Sequence, residues 1–109
     1  MAYDEHLADR LRDALEDQPN ITEQKMFGGV AFMAAGNLAV GASSQGGLIV
    51  RADPDTCEEL LERGVELMEM RGRPMRGWLH VDIERVESEA DLEAWVRRGL
   101  AYAQSLPPK

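Results

Sequence analysis

The run Lys25-Met26-Phe27-Gly28-Gly29-Val30-Ala31-Phe32, followed by Gly36-Asn37 and a second apolar run from Leu38 to Ala42, constrains this chain most. Two strand-like runs joined by a Gly-Asn step form the pattern of a hairpin. A glycine pair inside the first run marks a bulge or a close strand crossing, because glycine brings no side chain to pack there. A phosphate cradle would need a strand that turns through glycines into a helix. Here a strand is expected after the glycines, which disfavours a nucleotide-binding fingerprint.

Around that hairpin the expected order is α-β-β-β-α-β-β-α. Leu7, Leu11, Ala14 and Leu15 stand at helical spacing over 4–17, with Asp4 as N-cap and Pro19 as stop. Strands are predicted over 22–34, 38–42 and 48–52, with Ser44-Gln45-Gly46-Gly47 as the second turn. Asp53-Pro54 opens a predicted second helix with an apolar stripe of Cys57, Leu60 and Leu61, closed by Gly64. Period two returns over 65–70 and 77–86, with Leu79, Val81 and Ile83 on one side and Trp78, His80, Asp82 and Glu84 on the other. Ser88-Glu89-Ala90-Asp91 caps a third helix whose apolar face carries Leu92, Trp95, Val96, Gly99, Leu100 and Ala103, ahead of Pro107-Pro108. With 109 residues and no repeat or long linker, the expectation is a single α+β domain over 1–109.

Charge and cysteine content narrow the function classes. Twelve Lys and Arg against twenty Asp and Glu leave a net charge of −8, which repels a phosphate backbone. Arg71, Arg73 and Arg76, with Arg51, are the residues a nucleic-acid reading would use, and the Gly and Pro among them read more readily as a solvated loop. Cys57 is the only cysteine, so one chain can form neither a disulfide nor a thiolate metal site. Its place in an apolar stripe favours burial over a thiolate activated near a helix N-terminus. No apolar run approaches the roughly 18 residues of a membrane span, and the acidic start is unlike a secretory leader, so cytoplasmic residence is expected.

Catalytic and metal chemistry find little support. His6 and His80 lack ligand spacing, and no metal or cofactor is expected. Trp78, His80 and Asp82 share a strand face, so a pocket with an Asp-His base can be drawn, yet spacing supplies no nucleophile for it. The carboxylates from Asp82 to Glu93 read as a solvated face, with Glu89 and Asp91 suited to the first turn of the third helix. The side of the sheet opposite Leu79, Val81 and Ile83 is more telling. It is expected to hold Trp78 and His80 with Met33, Ile49, Met68 and Met70, which is too apolar for plain solvent. Such a surface is a candidate protein interface, for a second copy or another chain, unless a helix or the Arg71–Gly77 loop covers it.

Met26-Phe27-Gly28-Gly29 after an opening helix, the Gly36-Asn37 hairpin, the strand Leu48–Asp53, Gly64 and a terminal helix built around Leu92 and Trp95 occur here in the order seen in one family. The chain resembles the N-terminal domain of the TfoX/Sxy family, bacterial regulators named for their role in competence, over essentially its whole length. The resemblance implies a two-layer, secretion-chaperone-like fold with a five-stranded antiparallel sheet in the order α-β(3)-α-β(2)-α. It supplies no catalytic residues. Longer family members carry a second, helical domain where this sequence stops at Lys109. A non-enzymatic interaction or regulatory module acting through the sheet surface is therefore expected, with a ligand pocket near Trp78, His80 and Asp82 or nucleic-acid binding through Arg71, Arg73 and Arg76 as alternatives.

Overall fold

A computed structural model describes residues 4–26, 28–44 and 46–107, with the side chains of Met26 and Met70 outside that description. Phe27 of the glycine motif, Gln45 of the second turn and Pro108 of the terminal stop likewise lie outside the described residues. The elements are helix α1 (Glu5–Ala14), strands β1 (Ile21–Met26), β2 (Gly29–Ala34), β3 (Asn37–Ala42), β4 (Leu48–Arg51), β5 (Val65–Met70) and β6 (Arg73–Val81), and helix α2 (Glu89–Ser105). The strands form one antiparallel sheet in the order β1-β2-β3-β4-β6-β5.

The sheet has six strands rather than the expected five, because the predicted long first strand folds back at the glycine motif. Met26 pairs with Gly29, closing a two-residue loop in which Gly28 has φ 76°, a conformation that costs glycine nothing. The close crossing falls on Gly29, where a Cβ would collide with the carbonyl oxygen of Ala42.

Both terminal helices start where their caps predict. The Asp4 carboxylate accepts from Leu7 N at 3.1 Å, and the Ser88 hydroxyl accepts from Asp91 N at 3.1 Å. The predicted middle helix is absent. Asp53 instead accepts from Asp55 N at 2.9 Å in a local turn, and a single 3-10 turn follows at Cys57–Leu60. An apolar stripe of three residues is too short to sustain an α-helix there, and the segment is tied to β6 instead. Ala52 N donates to Gly77 O at 2.8 Å, and Gly77 N donates to the buried Cys57 Sγ at 3.3 Å.

Two further corrections concern β6. The predicted Arg71–Gly77 loop shrinks to a turn at Arg71-Gly72, and Arg73, Pro74 and Met75 pair with β5, Met70 opposite Arg73 and Met68 opposite Met75. At its other end the strand stops at Val81 rather than Val86. Its neighbours run out there, since Leu48 of β4 and Val65 of β5 both pair with Val81. The chain turns into a 3-10 segment at Ile83–Val86, leaving Ile83 39% exposed instead of on the core side.

The core lies between one face of the sheet and the two helices. Leu48, Val50, Leu79 and Val81 are fully buried in one cluster with Leu7 and Leu11 of α1 and Leu92 and Val96 of α2. Each such aliphatic side chain contributes roughly 1.5–3 kcal/mol by leaving water. α2 packs on β3 and β4, and at Gly99 a Cβ would collide with the Ala39 carbonyl oxygen. On the surface, Arg12 of α1 donates to Glu23 of β1 at 2.8 and 2.9 Å, and this bond is the main cause that raises the guanidinium pKa above its ordinary value.

Candidate functional site

Strand alternation fixes what stands on the other face. With Leu48, Val50, Leu79 and Val81 directed at the helices, Ile49, Trp78 and His80 must face away. Ala31, Leu38 and Ile49 form a separate buried cluster there, with Met33, Met68 and Trp78 packed around it. The structure thus brings together Met33, Ile49, Met68 and Trp78 of the expected interface, with His80 paired across from Ile49. Met70 lies on the same edge strand, its side chain outside the description.

This face is a bowl rather than a flat apolar surface. Ile49 is only 5% exposed, although no described helix packs over it. Two irregularities curve the sheet. One lies between Phe32 and Met33. At the other, Leu67 pairs with Leu79 while Met68 pairs with Met75, so Arg76, Gly77 and Trp78 form a bulge facing no β5 residue. Gly77 takes φ 88° within it. Under the bulge lies a cavity of about 410 Å³ with Ile49, Met68, Met75 and Trp78 on its apolar side and Ser43, Ser44, Glu66, Glu69 and His80 among its polar lining. That volume falls in the usual range of small-ligand sites, roughly 300–1,000 Å³.

His80 serves the architecture. Its Nε2 lies 2.6 Å from the Gly46 carbonyl oxygen, which can only accept, so Nε2 carries a proton. The ring thereby anchors the β3–β4 loop. In the neutral ring the lone pair is on Nδ1, 3.8 Å from Asp82 Oδ1. A serine-histidine-aspartate relay needs the opposite tautomer, with Nδ1–H toward the carboxylate and Nε2 open to the hydroxyl. Ser43 and Ser44 do share the cavity with His80, a juxtaposition the sequence reading lacked because nothing in the spacing says that β4 pairs with β6. Asp82 borders a smaller hollow of about 180 Å³ beside Gly46 and Gly47, which His80 also lines and Trp78 does not. The expected convergence of Trp78, His80 and Asp82 in one pocket is therefore not what the fold provides.

The arginines do not assemble into one patch either. Arg51 sits 4.7 Å from the Trp78 ring centre and 5.1 Å from that of Tyr102, and donates to Gly77 O at 3.2 Å. Arg76 reaches Glu58 at 3.4 Å, while Arg71 and Arg73 are exposed at the β5–β6 turn. Cys57 is buried, as expected. Among the described residues no group of three His, Cys, Asp or Glu could hold a metal ion, and no helix is long and apolar enough to cross a membrane.

No curated protein and no solved structure matches the sequence. The family model of the TfoX N-terminal domain matches residues 13–103, from the end of α1 through nearly all of α2. That span takes in all six strands and both faces of the sheet, and the chain belongs to the TfoX N-terminal domain family.

Proposed function

We propose that this protein is a non-enzymatic, cytoplasmic interaction module of regulatory type that binds another protein chain, a second copy or a different one, on the uncovered face of its sheet. The observation that carries this reading is the apolar floor of Ala31, Leu38 and Ile49 ringed by Met33, Met68 and Trp78, on the side away from both helices. Methionines adapt to more than one partner shape, and a half-buried tryptophan suits the centre of an interface. The resemblance to regulators of competence, with its secretion-chaperone-like two-layer layout, points the same way. The state of His80, with Nε2 held by Gly46, speaks against an Asp82-oriented His80 acting as base through Nε2. The dispersal of Arg51, Arg71, Arg73 and Arg76 speaks against nucleic acid.

The test compares the unaltered protein with Trp78→Lys and Met68→Lys by solution mass and by retention of protein from the native cytoplasm. The expected result is a dimer, or a discrete retained protein, that both variants lose while keeping their circular dichroism. A monomer that retains the same set of proteins as both variants would end this reading.

A further inference from the structure

The sheet ends at β1, which has β2 on one side and no neighbour among the described residues on the other. Met26 and Gly29 close a two-residue loop, and Ala35 N donates to Asn20 O at 3.1 Å, so the even-numbered residues of β1 bond to β2. Ile21, Glu23 and Lys25 therefore send their N–H and C=O groups to the open edge. Lys25 is exposed and holds no carboxylate among the described residues, while Glu23, two positions away, is fixed by Arg12. We propose that β1 pairs antiparallel with β1 of a second copy of this chain, about a two-fold axis at Gln24, so that Glu23 of each copy lies opposite Lys25 of the other. Trp78 stands on β6, beyond β2, β3 and β4, so this edge is distinct from the surface assigned above to a protein partner and does not depend on it.

Backbone geometry and charge together select this register. Antiparallel pairing requires an outward-bonding residue opposite an outward-bonding residue. Centring the pair on Glu23 or on Lys25 sets like charges face to face on the axis, which destabilises a sheet, and centring it on Thr22 carries Lys25 past the end of the partner's strand. Centred on Gln24, both cross-strand pairs join opposite charges and exchange backbone hydrogen bonds. A lysine in an edge strand ordinarily discourages pairing. Here the same strand carries the counter-charge at the spacing a two-fold contact needs, and the Glu23 carboxylate held by Arg12 can still accept a further donor. The opposite edge is the poorer site for a second copy. On β5, Val65 already exchanges both backbone bonds with Glu62, and the strand's charged residues, Glu66 and Glu69, are of one sign.

The test is sedimentation of the full chain over a range of concentrations at about 0.15 M salt, where repulsion between two chains of net charge −8 is screened beyond about 8 Å. A reversible monomer–dimer equilibrium is expected, which Lys25→Glu weakens about tenfold or more and Lys25→Arg shifts less than about twofold, both with unchanged circular dichroism. Arg63→Glu, in the exposed turn ahead of β5, makes the same change in formal charge and is expected to leave the equilibrium within about twofold. Gln24→Cys, facing its own copy with Cα atoms about 4.5 Å apart, is expected to form an intermolecular disulfide under mild oxidation, and Glu66→Cys on the opposite edge to stay uncrosslinked. The buried Cys57 remains out of reach. A monomer at every concentration, equal weakening by Lys25→Glu and Arg63→Glu, or equal crosslinking at the two cysteine positions would overturn the proposal. So would species that grow beyond the dimer, the mark of head-to-tail pairing of β1 with β5. A dimer lost in Trp78→Lys but kept in Lys25→Glu would overturn it too, and would place the second copy on the sheet face. A dimer that persists in Trp78→Lys and falls apart in Lys25→Glu supports the edge contact, and the sheet-face reading then stands or falls on the retained proteins alone.

Discussion

The two faces of the sheet are built from alternate residues of the same strands, yet they pack differently. Toward the helices, Leu48, Val50, Leu79 and Val81 are fully buried under two amphipathic helices. Away from them, among the described residues, Ala31, Leu38 and Ile49 are packed against by the partly buried Met33, Met68 and Trp78 and by no helix. Burial without a covering layer leaves room for neighbours to relax, and it keeps apolar surface within reach of a partner. The contrast separates residues that hold the fold from those a ligand can reach.

The largest expected effect tests this contrast directly. Leu79→Ala should cost about 3–4 kcal/mol in urea unfolding, the range for a large cavity in a rigid core. Ile49→Ala, next to the open cavity, should cost about half as much, since its surroundings can collapse. Equal losses would mean that the two faces are packed alike and that the bowl is covered. Gly99→Ala probes the covered side from the helix. Alanine favours a helix by about 1 kcal/mol over glycine, but its Cβ must push α2 off the Ala39 carbonyl. A net loss of about 1–2 kcal/mol is therefore expected, whereas a gain would show that α2 sits loosely on β3. Arg12→Ala, which cuts the link from α1 to Glu23 at the surface, should cost less than about 1 kcal/mol by the same measurement. A larger loss would shift part of the fold's stability from the core to the rim.

Legibility in the sequence followed the range of the forces involved. α1 and α2 were readable because local signals agree in each, with Asp4 and Ser88 as caps and apolar residues every three or four positions. The membership of the bowl was readable from parity, since alternation along 77–81 sends Trp78 and His80 away from Leu79 and Val81 whatever the rest of the chain does. Its concavity was not. The bulge at Arg76–Trp78 arises from a register fixed by β5, and Ser43 and Ser44 reach the cavity only through the β4–β6 pairing. The same limit explains the other misses. Asp53-Pro54 carries a helix-start signal that also suits a turn, and the end of β6 depends on where its neighbours stop. At Gly28 the near-continuous apolar sequence from Met26 to Ala35 hid a reversal that the glycine's left-handed backbone accomplishes.

The hydrogen bond from His80 to Gly46 ties the floor of the bowl to its lip. An occupant that rotates the imidazole must also let go of the β3–β4 loop, so depth of insertion and width of the mouth cannot be set independently in this molecule.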